Sequence, residues 1–420
     1  MQIKFMGAPH SPHILIFEPE SNGHQMEHIR YLLNDIEAKV ANVRVTLLTT
    51  SEAAEHPNCR RLIDDFRHFV TPVIAPPVTG GNRFYRLLGV FYEHQWRNAQ
   101  SLARGIDDIG ANGVDFVLIP HLECVGLLQL GPRPVVTRGR PWATIALSIR
   151  FHHRRRGIEG PFRWLDFLQA FFFYRIIRRR SLVCFGSVNP YLSSFVRDPK
   201  VAYCPEPSPV PARYGAEAAR AAYGVRPDTC VVLVAGVIDR RKCLDVLYEG
   251  AARVIPELDL TVLVAGPQHT RHLAAAQSSE AARKLRKHGR LIEVNRFILS
   301  GVDIDPMSVA DIVWVFYEPE FVNNSNVLVR SGLSRRPVIV RRRGVIGRQV
   351  EDHQIGVALS SDAPDVVAAA LSKLARDPEL RRTLGENGAK AFADNTPEVF
   401  SRPIVDAINR TTRVKNEITA

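Results

Sequence analysis

Apolar residues along this chain fall into two alternating patterns. Short unbroken runs, HILIFE (His13–Glu18), VRVTLLTT (Val43–Thr50), VDFVLIPHL (Val114–Leu122) and WATIALSI (Trp142–Ile149), are separated by segments of different periodicity. In QMEHIRYLLNDIEAKV, Met26, Ile29, Leu32, Leu33 and Ile36 recur at helical spacing and predict an amphipathic helix. Strands without polar alternation are buried on both sides, and their alternation with helices predicts a parallel sheet covered on both faces. The pattern then restarts. TCVVLVAG (Thr229–Gly236), LDLTVLVAG (Leu258–Gly266), RLIEVNRFI (Arg290–Ile298), DIVWVFY (Asp311–Tyr317) and RPVIV (Arg336–Val340) read as strands. KCLDVLYEGAARVI, with Leu244, Leu247 and Ala251 on one face, reads as a helix, and APDVVAAALSKLARDPELRRTLGENGAKAF reads as two helices broken at RDPE.

Between the two halves, PKVAYCPEPSPVPA carries Pro199, Pro205, Pro207, Pro209 and Pro211, a density that blocks helix and strand interiors. The expected architecture is therefore α/β, with two doubly wound, Rossmann-like domains facing a cleft. The first covers residues 1–204, a Pro-rich linker covers 205–228, the second domain covers 229–394, and 395–420 form a closing helix and tail that pack back toward the first domain. In such folds ligands bind outside the carboxyl ends of the strands.

Composition adds limits. A chain of 420 residues, 45% hydrophobic and 23% charged, has room for two real cores. The six cysteines form no CxxC pair, which argues against a zinc site or disulfide framework and for a reducing compartment. MQIKFMGAPHSPHILIF has no long apolar core with a cleavage site, and no apolar run reaches the roughly 18 residues of a membrane span. The expected location is cytoplasmic, with peripheral attachment at the inner face of a membrane as an option. The net charge of +12 is concentrated: Arg133–Arg180 carries +10, Arg330–Arg348 carries +7, and the rest of the chain carries −5.

Each candidate site has a plain structural alternative. Gly23 and His24, between the first strand and first helix, would let a backbone approach an anion, or are an ordinary turn. In AGVIDRRKCLD a buried strand ends at Gly236, and Arg240, Arg241 and Lys242 stand where a helix begins. Cations are disfavoured at that end unless an anion sits among them, and a diphosphate would serve. In YEPEFVNNSNVLVRSGL, Asn324 or Ser325 is a plausible N-cap complemented by Glu320. That does not account for Glu318, Asn323 and Asn324 beside it, the acceptor-and-amide cluster that a hydroxyl-rich ligand needs. Phe297, closing the third strand-like run of the second half, is a further donor-side candidate. His121 and His152 or His153 follow strands of the first half and are candidates for a polar contact or a general acid. No residues have metal-ligand spacing.

RFHHRRRGIEGPFRWLDFLQAFFFYRIIRRR interleaves arginine clusters with Phe162, Trp164, Phe167, Phe171, Phe172 and Phe173. The segment around 150–180 suits an anionic membrane surface, with rings at the headgroups and arginines on lipid phosphate. Base stacking on nucleic acid and a buried helix with arginines at its ends are the alternatives.

Taken together, these stretches resemble the GT-B glycosyltransferases of the group 1, family 4 type. The residues carrying the resemblance are VVLVAGVIDRRKCLDVLYEGA, ADIVWVFYEPEF…SNVLVRSGLSRRPVIV, VIGRQVEDHQIGVAL, ARDPELRRTLGENGAKAF and, in the first half, FEPESNGHQMEHI. The resemblance implies a nucleotide-diphosphate sugar held by the second domain and a glycan or lipid-linked acceptor held by the first. It also implies retention of configuration, no metal or other cofactor, no nucleic-acid partner, and positive side chains on the leaving diphosphate. Lys242 matches the family's lysine, and Val237 stands in place of its arginine, so Arg240 or Arg241 is the substitute. The two glutamate positions of the family pattern fall on Val322 and Arg330. Three readings follow: a divergent donor site, a shifted register in which Glu318 or Glu320 serves, or a binding protein that has lost catalysis.

Overall fold

The computed structural model describes residues 11–21, 25–110, 113–130, 136–160, 165–208, 214–298 and 303–419. They form two compact units: residues 1–152, 162–207 and 397–420, and residues 153–161 and 208–396. Short stretches thus change unit: 153–161 belong with the second and the last helix with the first.

The first unit is built on seven strands: β1 (His13–Phe17), β2 (Arg44–Thr49), β3 (Val70–Ile74), β4 (Phe116–Ile119), β5 (Trp142–Ala146), β6 (Leu182–Ser187) and β7 (Val201–Tyr203). They lie in the order β3-β2-β1-β4-β5-β6-β7. Neighbours are parallel throughout. Alternate side chains feed opposite faces, so both faces need cover. Ile14 and Ile16 pack with Ile29, Leu32, Leu33 and Ile36 of helix Gln25–Lys39 and with Phe400, Ile404 and Ile408 of helix Pro397–Thr419. Leu15 and Phe17 pack on the other side with Ala99, Leu102 and Ile106 of helix Val90–Ile109 and with Phe173, Ile176 and Ile177 of helix Leu165–Ile177.

The second unit has six parallel strands: β8 (Cys230–Ala235), β9 (Leu260–Ala265), β10 (Leu291–Val294), β11 (Ile312–Trp314), β12 (Val338–Arg341) and β13 (Gly356–Leu359). Their order is β10-β9-β8-β11-β12-β13. Helices Leu244–Val254 and Pro364–Arg376 cover one face, and helix Asn326–Leu333 the other. The break expected at RDPE is a capped junction: Pro378 opens the following helix and the Asp377 carboxylate accepts the Leu380 N–H at 2.8 Å.

Three differences from the sequence reading have physical causes. The linker is shorter than expected, because Ala216–Ala222 is a helix with Ala219 buried in the second core. No proline falls between Pro211 and Pro227, and the alanine-rich stretch between them favours helix. The helix expected from Lys242 begins at Leu244, after a 3-10 turn over Arg240–Lys242 and a left-handed Cys243 (φ 47°). The strand expected over Asp311–Tyr317 pairs only as Ile312–Trp314, so Tyr317 and Glu318 stand beyond the ladder.

The ends of β8 and β9 approach closely enough to exclude side chains. Gly266 has φ 139°, and a Cβ there would lie 1.9 Å from the carbonyl oxygen of Gly236. An Ile238–Gln268 bridge continues the contact past the strands. Gly266→Ala must push the Gly236 loop away and should cost about 1–3 kcal/mol, read as a lowered urea midpoint.

Candidate active site

Sheet order places the candidate residues. In an open parallel sheet the crevice opens where strand order reverses, and in the second unit that point lies between β8 and β11. Gly236 ends β8 with φ 89°, a conformation that favours glycine, and Lys242 follows in the same loop. Tyr317 and Glu318 follow β11. The two loops are joined by the backbone, Glu318 N–H donating to the Arg241 carbonyl at 3.0 Å, and Trp314 Nε1 donating to the Lys242 carbonyl at 2.9 Å.

Lys242 is only 3% exposed. Its Nζ donates to the Tyr317 hydroxyl at 3.0 Å and lies 4.7 Å from the centre of that ring. An ammonium only donates, so the Tyr317 oxygen accepts from it, and its own hydrogen is free for Ser325 Oγ at 2.9 Å. Ser325 opens helix Asn326–Leu333 yet gives that helix no side-chain cap, its hydroxyl being turned to Tyr317. Asn324 Oδ1 accepts the Ser325 N–H at 2.9 Å. Arg341 fixes Tyr317 from behind, with Nε donating to the Tyr317 carbonyl at 2.8 Å.

The charge of this loop is distributed unevenly. Arg241 pairs with Asp239 at 2.8 Å, and exposed Arg240 reaches Glu318 at 3.6 Å. The Asp239 hydrogen bonds hold the Arg241 pKa above its ordinary value. The cations therefore do not crowd a helix start, and the two arginines have acids of their own. Among the described residues Lys242 has no carboxylate within ion-pair distance, only a phenol. A buried ammonium without a counter-charge costs several kcal/mol in desolvation, a cost that a bound anion removes.

The remaining donor-side candidates are more open. Glu318 is half-buried and Glu320 exposed, while Asn323 and Asn324 are half-buried. Phe297 lies beyond β10, on the far side of β9, and is exposed. Arg330 pairs with Asp305 at 2.8 Å, and the other oxygen of Asp305 accepts the Met307 N–H. The arginine at the family's glutamate position thus ties helix Asn326–Leu333 to the 3-10 turn Pro306–Ser308. Three of the other six arginines in Arg330–Arg348 are likewise paired: Arg341 with Asp362, Arg342 with Glu351 and Arg348 with Asp352.

In the first unit the strand order reverses between β1 and β4. Glu18 follows β1 and His121 follows β4, and both are buried. His121 Nδ1 is bonded to Glu18 Oε2, and His121 Nε2 to His28 Nδ1 at 3.1 Å. His28 Nε2 lies 3.3 Å from Glu206 Oε1. Two carboxylates and two imidazoles thus form one buried chain. Both ring nitrogens of His121 are engaged, so neither is open to a ligand in this arrangement. His152 is also fully buried, packed against Phe151 and Phe195, and presents no surface to an acceptor. Gly23 and His24 lie outside the described residues. The sequence reading missed Tyr317, Arg341 and His28. Tyr317 adjoins the Glu318 signal, whereas the other two had no local signal at all.

No family model matches the chain. A curated protein, D-inositol 3-phosphate glycosyltransferase 2 of Catenulispora acidiphila, is 29% identical over 208 residues, 45% of this chain and 47% of that protein. The match spans about half the length of this relative. Among solved structures, a glycosyltransferase from Rickettsia africae superposes with TM-score 0.67 at 12% identity, covering 96% of this chain and 98% of that one. Anabaena HepE in complex with UDP and glucose gives TM-score 0.63 at 14% identity, covering 94% and 99%. Sucrose-phosphate synthase from Thermosynechococcus elongatus gives 0.60 at 16%, covering 97% and 99%. At these identities the likeness is one of fold, and the fold is the GT-B type.

Two outcomes follow from the charges. Lys242→Met removes the uncompensated charge at similar volume, so the ligand-free protein should be at least as stable in urea; a loss of about 2 kcal/mol or more would make the ammonium structural. Burial opposes protonation of His121, but the carboxylates of Glu18, Glu123 and Glu206 outweigh it and raise its pKa. A raised histidine pKa means that folding takes up a proton. Its stabilisation is complete below the unfolded value of about 6.5 and is lost as pH rises through the folded value. Urea midpoints measured from pH 6 upward should fall through that window, and His121→Gln should flatten the fall.

Proposed function

We propose that this protein transfers a sugar from a nucleotide-diphosphate donor to a glycan or lipid-linked acceptor at a membrane. The observation that carries the reading is the buried Lys242 ammonium, without a carboxylate, at the point where strand order reverses in a parallel sheet. The bond from the sugar's anomeric carbon to the diphosphate breaks, and the diphosphate leaves with the electron pair. The same carbon then bonds to an acceptor oxygen, which gives up its proton to the diphosphate oxygen that has taken the electron pair. Charge grows on the diphosphate, and a preorganised cation there lowers the barrier. Lys242 takes this role, with Arg240 or Arg241 beside it and the Gly236 backbone close to the phosphates. Glu318, Glu320, Asn323 and Asn324 face the sugar hydroxyls. The reading assigns the leaving-group charge to side chains and needs no metal. The Anabaena structure with UDP and glucose supports the ligand class by analogy.

The acceptor reading draws on the basic segment of the first domain. Among the described residues Arg175, Arg178 and Arg180 are exposed and form no ion pair. No described helix is long and apolar enough to cross a membrane.

A second reading, a binding protein that no longer transfers, draws on the Arg330–Asp305 pair at the family's glutamate position. Thermal shift with UDP, GDP, ADP and their sugar conjugates tests the donor site. A hundred-fold excess of ligand over its Kd should stabilise the protein by about 2.7 kcal/mol. Lys242→Met should abolish that shift, and no response to any nucleotide at millimolar concentration removes the donor site. Release of free sugar or its transfer to a glycan acceptor then separates a transferase from a scaffold.

A further inference from the structure

The buried polar chain of the first unit is unexplained by the donor site. Its members are Glu18 after β1, His28 on helix Gln25–Lys39, His121 after β4 and Glu206 after β7, at 0%, 1%, 1% and 4% exposed. At that burial an unmade contact costs far more than it would in water. Both oxygens of Glu18 accept: Oε1 takes the Glu20 N–H at 3.1 Å and Oε2 faces His121 Nδ1. His121 Nε2 meets His28 Nδ1 at 3.1 Å, and His28 Nε2 lies 3.3 Å from Glu206 Oε1.

This geometry sets a hydrogen count. Three contacts join the four groups, and each needs one hydrogen. Ionised carboxylates only accept, so the rings must supply all three. Two neutral imidazoles carry one N–H each and supply two. One contact is then left with lone pair against lone pair, either between the rings or against a carboxylate. One added proton makes one ring an imidazolium and fills the third contact. A second added proton would set N–H against N–H between the rings. The chain is complete with one imidazolium and incomplete with none or two.

The contact with Glu206 is the loosest of the three, within ion-pair range but not aligned as a hydrogen bond. Its partner ring is held from behind by Phe400 of helix Pro397–Thr419, at 4.9 Å between centres. Glu206 itself stands between Pro205 and Pro207, which have no N–H to tie the segment down. The Cys204 N–H donates to the Ser187 carbonyl and the Ser208 N–H to the Asn395 carbonyl, both at 2.9 Å, and the chain passes to the second unit after Pro207. The charges that face His121 are acids: Glu18, Glu123 and Glu206, with Glu20 beyond Glu18 and near His94 at 3.5 Å. The thiols of Cys59 and Cys124 beside Glu18 are pushed up by burial. Acids on several sides favour keeping the added proton.

We propose that Glu18, His121, His28 and Glu206 form a one-proton latch: the shared proton docks segment 204–207 on the first unit, and its loss at alkaline pH releases that segment where the chain leaves the unit. The raised pKa of His121 agrees in direction. A proton held this way is bound below about pH 6.5 and leaves as pH rises through the folded value. The latch is independent of the donor and acceptor readings, because it needs neither ligand.

The test is hydrogen exchange of the full-length protein without ligand, read on peptides covering 201–208 and corrected for the intrinsic effect of pH on exchange. Wild-type protection there should fall at least about tenfold between about pH 6 and pH 9, while strands β2 and β8 keep theirs. The amide of Glu206→Gln carries the third hydrogen at every pH, so this variant should keep the segment protected across the range. Wild-type protection that does not change with pH overturns the latch. So does a Glu206→Gln variant that keeps the wild-type pH dependence, or one that loses protection at both ends of the range, which makes Glu206 a plain anchor. Nitrogen-15 NMR of the wild-type histidine rings tests the count without any variant. His28 and His121 should together carry three ring N–H groups at the acid end and two at the alkaline end, and two at both ends overturns the proposal.

Discussion

The site of the second domain is organised around an ammonium group with no counter-charge. Lys242 sits under the ring and hydroxyl of Tyr317, and a phenol compensates a buried cation only in part. Everything nearby holds that arrangement in place. The Trp314 indole pins the Lys242 carbonyl, Arg341 pins the Tyr317 carbonyl, and Ser325 spends its hydroxyl on Tyr317 instead of on its own helix. A fold selected for stability alone would place a methionine there. The cost is consistent with a group kept for an anion, since electrostatic stabilisation is worth most where water is excluded.

The first domain meets the same topological constraint with a different solution. Its strand order reverses where Glu18 and His121 emerge, and four titratable groups are buried there in one chain. At the His28–His121 contact one nitrogen donates and the other accepts. The chain links the ends of β1 and β4, helix Gln25–Lys39 and the segment after β7, all within one unit. The raised pKa of His121 is the reverse of what burial alone would give, because the carboxylates outweigh desolvation.

The two basic patches had the same appearance in sequence and came apart in the structure. In Arg330–Arg348 four of the seven arginines meet acids, Asp305 and Asp362 from other elements and Glu351 and Asp352 from the neighbouring helix, so much of the patch is internal pairing. Around helix Leu165–Ile177 the arginines stay exposed, while the aromatic run splits between faces, Phe173 into the core and Phe167 and Phe171 outward. Helical geometry makes that split, and a run of consecutive phenylalanines conceals it.

Both parallel sheets, the alternation with helices and the placement of Gly236, Lys242 and Glu318 at strand ends were determined by local sequence. Each follows from periodicity or from residue types adjacent in the chain, and those forces act over a few residues. Tertiary structure alone decided which charges remain unpaired. Arg240 and Arg241 found acids and Lys242 did not; Arg330 became a strut; His121 was closed in by Glu18 and His28 from other elements. A charge's energy depends on what stands within a few ångströms of it, and in a parallel fold those neighbours come from strands and loops far apart in the chain.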